Sequence, residues 1–351
     1  MPETSNTREL NYGEALLEAL SQEMALDENV MVMGQGVDDA KGQYGSTLNL
    51  HQEFGADRSF DTPIAEESMT GIGVGLALAG MRPVQVHQRM DFLMVCMNQI
   101  VNMAAKYHYM SAGAVSVPMV IRASIGRSWG QGPQHSQAPY PFFMHVPGLR
   151  VMAPTTPHDA KGGLIAAIRD DNPVIFVEHR MLYANRGLVP EEPFEIEFGK
   201  ARVLRPGKHI TLVGISYTVT DCLRAADLLA EIGVEAEVID LLSLAPLDSE
   251  TVLASAAKTG HLIVADNTWA MCGAGAEIIA RLAESDLAGK VKVGRMGYAP
   301  TTCPTTRCLE DEYYPDPVKV AQTSATLIGA DPAALPSQVE RREIEEFRGP
   351  F

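Results

Sequence analysis

Residues 71–86 read GIGVGLALAGMRPVQV, a run of small and apolar residues followed by a short apolar run after a proline. The first part is typical of a helix that packs closely on its neighbours, and residues 83–86 are typical of a buried strand. The same alternation recurs along the chain. Further helices are predicted at 12–24, 91–106 and 160–170, and further strands at 30–33, 117–121, 149–151 and 174–178. Strands alternating with helices of this length predict an α/β fold with a mainly parallel, doubly wound sheet.

A different kind of sequence separates this series from a second one. Residues 189–207 read VPEEPFEIEFGKARVLRPG, with prolines, clustered acids and little helical periodicity. Such a segment is typical of a connection between domains. Beyond it the alternation of strand and helix resumes, up to a closing helix at 317–328. We therefore predict two doubly wound α/β domains, at residues 8–190 and 200–335.

The composition excludes several classes of partner. The 351 residues include 28 basic and 44 acidic side chains, a formal net charge of −16, which disfavours nucleic acid and anionic membrane surfaces as partners. Five scattered cysteines do not form a disulfide framework. The chain shows neither a signal-peptide core nor an apolar stretch of the ~18–20 residues that a spanning helix needs. We expect a cytoplasmic protein without membrane contact.

Generic catalytic motifs leave the site unassigned. The chain has no GxxxxGK[ST] phosphate loop and no GxSxG nucleophile turn. Gly71, Gly73 and Gly75 form a GxGxG pattern, but it lies within a helical run, so close helix packing explains it better than dinucleotide binding. An enzyme is favoured only because such sheets hold ligands at the carboxyl ends of their strands.

A series of longer motifs carries a specific resemblance. In chain order these are DTPIAE (61–66), GIGVGLALAG followed by RPV (71–84), NQIVN (98–102), QHSQ (134–137), PGL (147–149), DAKG (159–162), RDDNP (169–173) and GVEAEVIDLLSLAPLD (233–248). This series resembles the beta subunit of the thiamine-diphosphate-dependent 2-oxoacid dehydrogenase decarboxylating component. That family includes the pyruvate, branched-chain 2-oxoacid and acetoin dehydrogenases. The similarity extends from about residue 10 to residue 330.

The resemblance implies an architecture, cofactors and partners. It implies a pyrimidine-binding domain followed by a transketolase-type carboxyl-terminal domain, and an α2β2 heterotetramer with an alpha subunit. In these enzymes a GDG…N segment holds the cofactor's diphosphate and Mg²⁺, and this chain contains no GDG. We therefore expect the alpha subunit to hold Mg²⁺, and this chain to supply half of each active site. The implied reaction is decarboxylation of a small 2-oxoacid, or cleavage of acetoin, with transfer of the acyl group to the lipoyl acyltransferase component.

Glu66 is the first candidate for catalysis. In the family the glutamate at this place hydrogen-bonds a ring nitrogen of the aminopyrimidine, and activation of the cofactor depends on that proton exchange. The carboxyl group must be shielded from water to share a proton with a weakly basic nitrogen. The structural alternative is that Thr62 and Pro63 begin a helix, and that Glu66 and Glu67 only complement its dipole.

Other site residues follow from the same resemblance. Phe92 lies where the family places an aromatic ring that stacks on the aminopyrimidine, and Gln88 takes the place of the family's glutamine before it. Gln35 stands where a glutamate is usual, so it can hydrogen-bond the cofactor but carries no charge. His135 matches the family's active-site histidine, which acts in catalysis near the thiazolium ring. The alternatives are a core phenylalanine and a structural histidine.

The resemblance also implies a potassium site. Its oxygen ligands would come from Ala167, Asp170 and Asn172, with a carbonyl of Met119 as a further ligand. An ordinary turn with an Asp/Asn cap is the alternative for the first three.

One segment departs from the family pattern. Where the family is apolar and aromatic, residues 86–92 read VHQRMDF, which introduces His87 and Arg89. Arg89 could pair with a further anionic group of the substrate, or with the alpha subunit or a neighbouring acid. The departure leaves the substrate open. A split transketolase-like or non-oxidative thiamine lyase subunit, and a non-catalytic scaffolding subunit, are the alternative functions.

Overall fold

The computed structural model describes residues 7–127 and 130–337. The chain divides into two compact units. The first contains the described residues up to Ile125 and then Phe142–Phe198, and the second contains Gly126–Pro141 and the described residues from Gly199 on. The described residues of 126–141 therefore group with the second unit, whereas the predicted boundaries assigned all of 8–190 to the first domain.

The first unit alternates strands and helices, as the sequence predicts. Its strands are β1 Thr7–Asn11, β2 Val30–Gly34, β3 Ser59–Asp61, β4 Arg82–His87, β5 Val120–Ile125, β6 Arg150–Met152, β7 Val174–His179 and β8 Arg186–Pro190. Its helices are α1 Tyr12–Leu26, α2 Leu50–Phe54, α3 Glu66–Leu78, α4 Ala105–Met110, α5 Pro141–Met144 and α6 Pro157–Arg169.

A parallel sheet forms the core of the first unit. Its strands pair in the order β6-β7-β5-β4-β2-β3, and every one of these pairings is parallel. Strands β2, β5 and β7 are buried along their whole length, which explains the apolar runs VMVM in β2 and VIFV in β7. Because all the strands run the same way, their carboxyl ends meet at one edge, where open α/β sheets bind ligands.

The GxGxG pattern lies inside α3, as predicted. A Cβ atom on Gly73 would stand 2.6 Å from Cε of Met119 and 3.1 Å from Oε1 of Gln85. A Cβ on Gly75 would meet nothing within 4 Å. Gly73 is therefore the glycine that lets the helix approach the sheet.

The helix predicted at 91–106 is not one continuous α-helix. Met90–Cys96 form a 3₁₀ segment, Gln99–Ala104 a π-helical segment, and α4 begins only at Ala105. The apolar periodicity identified the helical character but not the change in hydrogen-bond pattern, because apolar spacing differs little among these forms over so short a length.

The second unit is built in the same way. Its strands are β9 Arg202–Arg205, β10 Ile210–Gly214, β11 Ala236–Asp240, β12 Ser243–Ala245, β13 His261–Trp269 and β14 Lys292–Tyr298, and its helices are α7 Tyr217–Glu231, α8 Ser249–Thr259, α9 Ala274–Ala283, α10 Arg307–Tyr313 and α11 Pro317–Ile328. The sheet order is β14-β13-β10-β11-β9, parallel except for the antiparallel edge strand β9. The two-domain, doubly wound α/β prediction is confirmed.

The predicted connecting segment contains paired strands at both ends. β8 pairs antiparallel with β1, and β9 joins the second sheet. All five cysteines are free thiols. In the described part of the chain, no helix combines the length and apolar character needed to span a bilayer.

Candidate active site

The candidate site lies at the carboxyl ends of β2 and β4. These neighbouring strands end at Gly34 and His87, and Gln35 and Gln88 follow directly. The backbone N–H of Gln35 donates to the carbonyl of Val86 at 3.0 Å, which extends the pairing past the strand end. Polar side chains are therefore held at the sheet edge by regular backbone pairing.

Glu66 is the first residue of α3, and its side chain is partly buried. Nε2 of Gln35 donates to its Oε1 at 3.2 Å, and Oε1 of Gln35 accepts from the backbone N–H of Gln88 at 3.4 Å. The structure thus joins three predicted site residues, Glu66, Gln35 and Gln88, in one hydrogen-bonded group.

The helix-capping alternative for this segment is not what the structure shows. The helix begins at Glu66, Ala65 occupies the cap position, and no side chain caps the first turn. Thr62 instead donates its backbone N–H to the carbonyl of Gly34 at 2.9 Å. Glu66 and Glu67 do lie in the first turn, where their charge complements the helix dipole.

Glu67 has a separate environment. Its side chain is exposed and accepts a hydrogen bond from Nε2 of Gln99 at 3.3 Å. The two adjacent carboxylates therefore bind different amide side chains. This difference makes Glu67 a useful control for Glu66.

Gly36 lines the same edge and leaves room for Gln88. Its φ is +73°, and a Cβ atom there would lie 2.7 Å from Nε2 of Gln88. Phe92 is half-buried in the 3₁₀ segment that follows β4. A glycine-lined edge that carries a carboxylate leaves room for a flat, nitrogen-containing ring.

Arg89 lies beside an acid, which is one of the alternatives that the sequence left open. Its Nε is 3.4 Å from Oδ2 of Asp91, and both side chains are buried. Burial lowers the pKa of Arg89, the positive charge of Arg180 lowers it further, and Asp91 opposes both effects. The carboxylate of Asp91 therefore partly compensates the positive charge of Arg89, the residue that departs from the family pattern here.

His135 belongs to the second unit, on the segment 126–141, and not to the unit that carries Glu66. Its side chain is half-buried, and its backbone N–H donates to the carbonyl of Gly132 at 3.5 Å. A Cβ on Gly132 would lie 2.7 Å from Cγ2 of Thr305, so this loop packs closely within its own unit.

Family comparisons agree with this geometry. A transketolase pyrimidine-binding domain model matches residues 8–186, and a transketolase carboxyl-terminal domain model matches residues 199–320. The beta subunit of acetoin:2,6-dichlorophenolindophenol oxidoreductase of Cupriavidus necator is 41% identical over 325 residues, covering 90% of this chain and 96% of that protein. The mitochondrial pyruvate dehydrogenase E1 component subunit beta of Ascaris suum is 40% identical, covering 91% and 90%.

The chain belongs to the family of thiamine-diphosphate-dependent 2-oxoacid and acetoin dehydrogenase beta subunits. The predicted resemblance is confirmed. A chain described as split gene transketolase, inactive beta4 tetramer, has the same fold, with a TM-score of 0.73, 21% identity and coverage of 91% of this beta subunit and 98% of that chain.

Thiamine diphosphate fits the groups that this beta subunit presents. His87, at the end of β4, is buried with 2% exposure, and neither ring nitrogen has a hydrogen-bond partner among the described residues. A carboxylate, two amides and an unpaired imidazole at one sheet edge are suited to a heteroaromatic amine. The sequence analysis identified His87 only as a departure from the family pattern and predicted no role for it.

Two of the predicted potassium ligands, Met119 and Asp170, accept hydrogen bonds within this beta subunit. The carbonyl of Met119 accepts from the N–H of Val174 at 2.9 Å, and that of Asp170 accepts from Nη1 of Arg82 at 3.2 Å. Oδ1 of Asp170 accepts from the backbone N–H of Asn172 at 2.8 Å. A carbonyl oxygen has two lone pairs and can also bind a cation, but the guanidinium of Arg82 brings a positive charge to the same place. Potassium stays a prediction, as do the ligand roles of Ala167 and Asn172.

One group of acids was not singled out by the sequence. Carboxylate oxygens of Asp38, Asp39 and Asp61 lie within 4.8 Å of one another, and all three residues are exposed. Partial burial raises the pKa of Asp61, and the backbone N–H groups of Asp38 and Val37 oppose that rise. Exposed acids of this kind are common without a bound ion, so we assign them no function.

Proposed function

We propose that this beta subunit combines with an alpha-type subunit in an α2β2 heterotetramer and activates thiamine diphosphate through Glu66. The complex would then decarboxylate a small 2-oxoacid, or cleave acetoin, and transfer the acyl group to a lipoyl carrier. The observation that carries the proposal is the hydrogen bond that fixes Glu66 to Gln35 at the carboxyl edge of the sheet.

Each residue has a distinct part in this proposal. Glu66 holds a proton on one carboxylate oxygen and exchanges it with the aminopyrimidine ring. Gln35 orients Glu66 by donating to its Oε1, while Gln88 fixes the amide of Gln35 through its backbone N–H. Phe92 stacks on the ring, and His135 acts at the thiazolium end. Thiamine diphosphate supplies the carbon nucleophile when it is bound.

The remaining ligands and partners follow from the family. The alpha subunit holds Mg²⁺ and the diphosphate, since this chain has no GDG segment. The names of the relatives refer to different substrates, acetoin and pyruvate among them, so a substrate screen must include both. Potassium at Met119, Ala167, Asp170 and Asn172, and a cytoplasmic location, also belong to the proposal.

The test uses the complex with the alpha-type partner, purified with thiamine diphosphate and Mg²⁺. Pyruvate, branched-chain 2-oxoacids and acetoin are each assayed with lipoamide as acyl acceptor. We expect turnover with one of them, and a loss of at least about 100-fold in Glu66→Gln, the order of a general acid–base contribution. Glu67→Gln is the matched control and keeps turnover within about threefold.

Two results would contradict parts of the proposal. Normal turnover in Glu66→Gln would remove its catalytic role and favour a non-catalytic scaffolding subunit. Carbon–carbon ligation with an aldehyde, without acylation of lipoamide, would favour a transketolase-like lyase instead.

A further inference from the structure

His87 is a buried polar group that the proposed mechanism does not yet use. It is the last residue of β4 and 2% exposed, and both of its ring nitrogens are unpaired within residues 7–127 and 130–337. A buried polar group without a partner destabilises the fold, so its presence calls for a physical reason.

The packing of β4 against α3 brings His87 to Glu66. Side chains two apart on a strand lie on one face, so Gln85 and His87 point the same way. Nε2 of Gln85 donates to Oγ1 of Thr70 on α3 at 3.2 Å. His87 lies two residues after Gln85, about 6.6 Å along β4. Glu66 lies four residues before Thr70, about 6 Å along α3.

The electrostatics agree with this placement. Burial lowers the pKa of His87 to about 4, and the Glu66 carboxylate is close enough to oppose that effect. The imidazole is therefore neutral near pH 7, with one N–H donor and one bare nitrogen acceptor. Cys96 also lies near this place, where burial raises its pKa to about 11, so its thiol stays protonated.

Gln35 holds one oxygen of Glu66. Its Nε2 donates to Oε1 of Glu66, and its own Oε1 accepts from the backbone N–H of Gln88. A carboxyl group held at one oxygen can still turn about that hydrogen bond, so a second donor would fix its orientation. A neutral imidazole supplies one such N–H donor.

We propose that His87 is a positioning residue for Glu66: its imidazole N–H donates to the carboxyl group of Glu66 and holds that group in place while Glu66 exchanges its proton with the cofactor. This inference rests on the proposed function, because it concerns the proton exchange assigned to Glu66. No covalent bond is made or broken on His87, and the ring stays neutral throughout.

The test compares His87→Phe and His87→Gln in the complex with the alpha-type partner, with Glu66→Gln as reference. Phenylalanine removes both ring nitrogens at similar volume, and glutamine restores one donor and one acceptor. Three quantities are measured: the rate at which the thiazolium C2 proton of bound thiamine diphosphate exchanges for deuterium, the Kd of the cofactor, and the thermal midpoint.

We expect exchange to fall at least about tenfold in His87→Phe and to recover to within about threefold of wild type in His87→Gln. The Kd should change less than about threefold. The midpoint of His87→Phe should be equal to wild type or higher, since an apolar ring removes an unpaired buried polar group.

Three results would overturn the inference. Unchanged exchange in His87→Phe, while Glu66→Gln is slow, would refute the role of His87 and leave the proposed function intact. Equal slowing in both His87 variants together with a lower midpoint would show a purely structural role. A wild-type complex that does not bind thiamine diphosphate would overturn the proposed function, and this inference with it.

Discussion

Asp266 should make the stability of the second unit depend on pH. It lies in β13 with 3% exposure, and its Oδ1 accepts a hydrogen bond from the hydroxyl of Tyr140. Burial raises the pKa of this carboxyl to about 7, although the backbone N–H groups of Gly275 and Ala274, at the start of α9, oppose the rise. The perturbation is Asp266→Asn, which keeps the shape but does not titrate.

The sign and size follow from the two pKa values. The ordinary value is 3.8 and the folded value about 7, so between these the folded protein keeps a proton that the unfolded chain has lost. Stability is therefore highest at low pH and falls as pH rises from about 4 to about 7. At ~1.4 kcal/mol per pH unit, the interval corresponds to a loss of ~4 kcal/mol for this one carboxyl.

The assay is unfolding by urea at pH 5 and at pH 8 in a Trp129→Phe background, followed by the fluorescence of Trp269 at the end of β13. Because about two pH units of this interval lie between pH 5 and the folded pKa, the asparagine variant should gain ~3 kcal/mol relative to wild type between the two pH values. Asp248→Asn is the matched control, because backbone N–H groups and Thr251 hold the pKa of Asp248 below its ordinary value in spite of burial. Its difference from wild type should be constant between pH 5 and pH 8. Parallel curves for wild type and Asp266→Asn would refute the reasoning.

Three further changes test other parts of the structure. Nε of the buried Arg122 lies 2.5 Å from Oε1 of Glu178, and Glu178→Gln removes this counter-ion. The variant should have a free energy of unfolding lower by ~3–5 kcal/mol in urea titrations, because it leaves a buried charge unpaired. A loss below ~1 kcal/mol would contradict this. Gly73→Ala should lower the thermal midpoint, because it places a methyl group against Met119. Gly75→Ala should raise the midpoint, because alanine has the higher helix propensity and its methyl group meets no neighbour within 4 Å. A higher midpoint for Gly73→Ala than for Gly75→Ala would contradict this. Gln35→Leu should slow thiazolium C2 exchange about tenfold with little change in thermal midpoint, since it removes the donor to Glu66; unchanged exchange would show that Gln35 does not orient Glu66.

Sequence periodicity predicted most of the fold because buried parallel strands and long helices produce strong apolar patterns. The exceptions have physical causes. Within the described residues, β1 and β8 form a two-stranded sheet and β9 is an edge strand. Their residues are mostly exposed or half-buried, so their sequences lack the apolar runs of buried strands. The 3₁₀ and π-helical segments after β4 depend on hydrogen bonds that apolar spacing does not determine.

The candidate site was only partly predictable. The resemblance directed attention to Glu66, Gln35 and Gln88, and the structure joins them by hydrogen bonds. The hydrogen bonds themselves could not be read from sequence, because they depend on the register of β2 against β4. The position of His87 was hidden for a similar reason, since its approach to Glu66 depends on how α3 packs on the sheet.

The segment that departs from the family pattern adds polar groups near Glu66 without adding an unbalanced charge. Burial lowers the pKa of His87 to about 4, so its imidazole is neutral near pH 7. Arg89 carries a positive charge, but its Nε lies 3.4 Å from Oδ2 of Asp91, and both side chains are buried. Because an opposite charge at this distance cancels much of the field of the guanidinium, the arginine acts less on the cofactor edge than an unpaired cation would. The histidine and arginine therefore change the hydrogen-bonding groups at this edge more than its net charge.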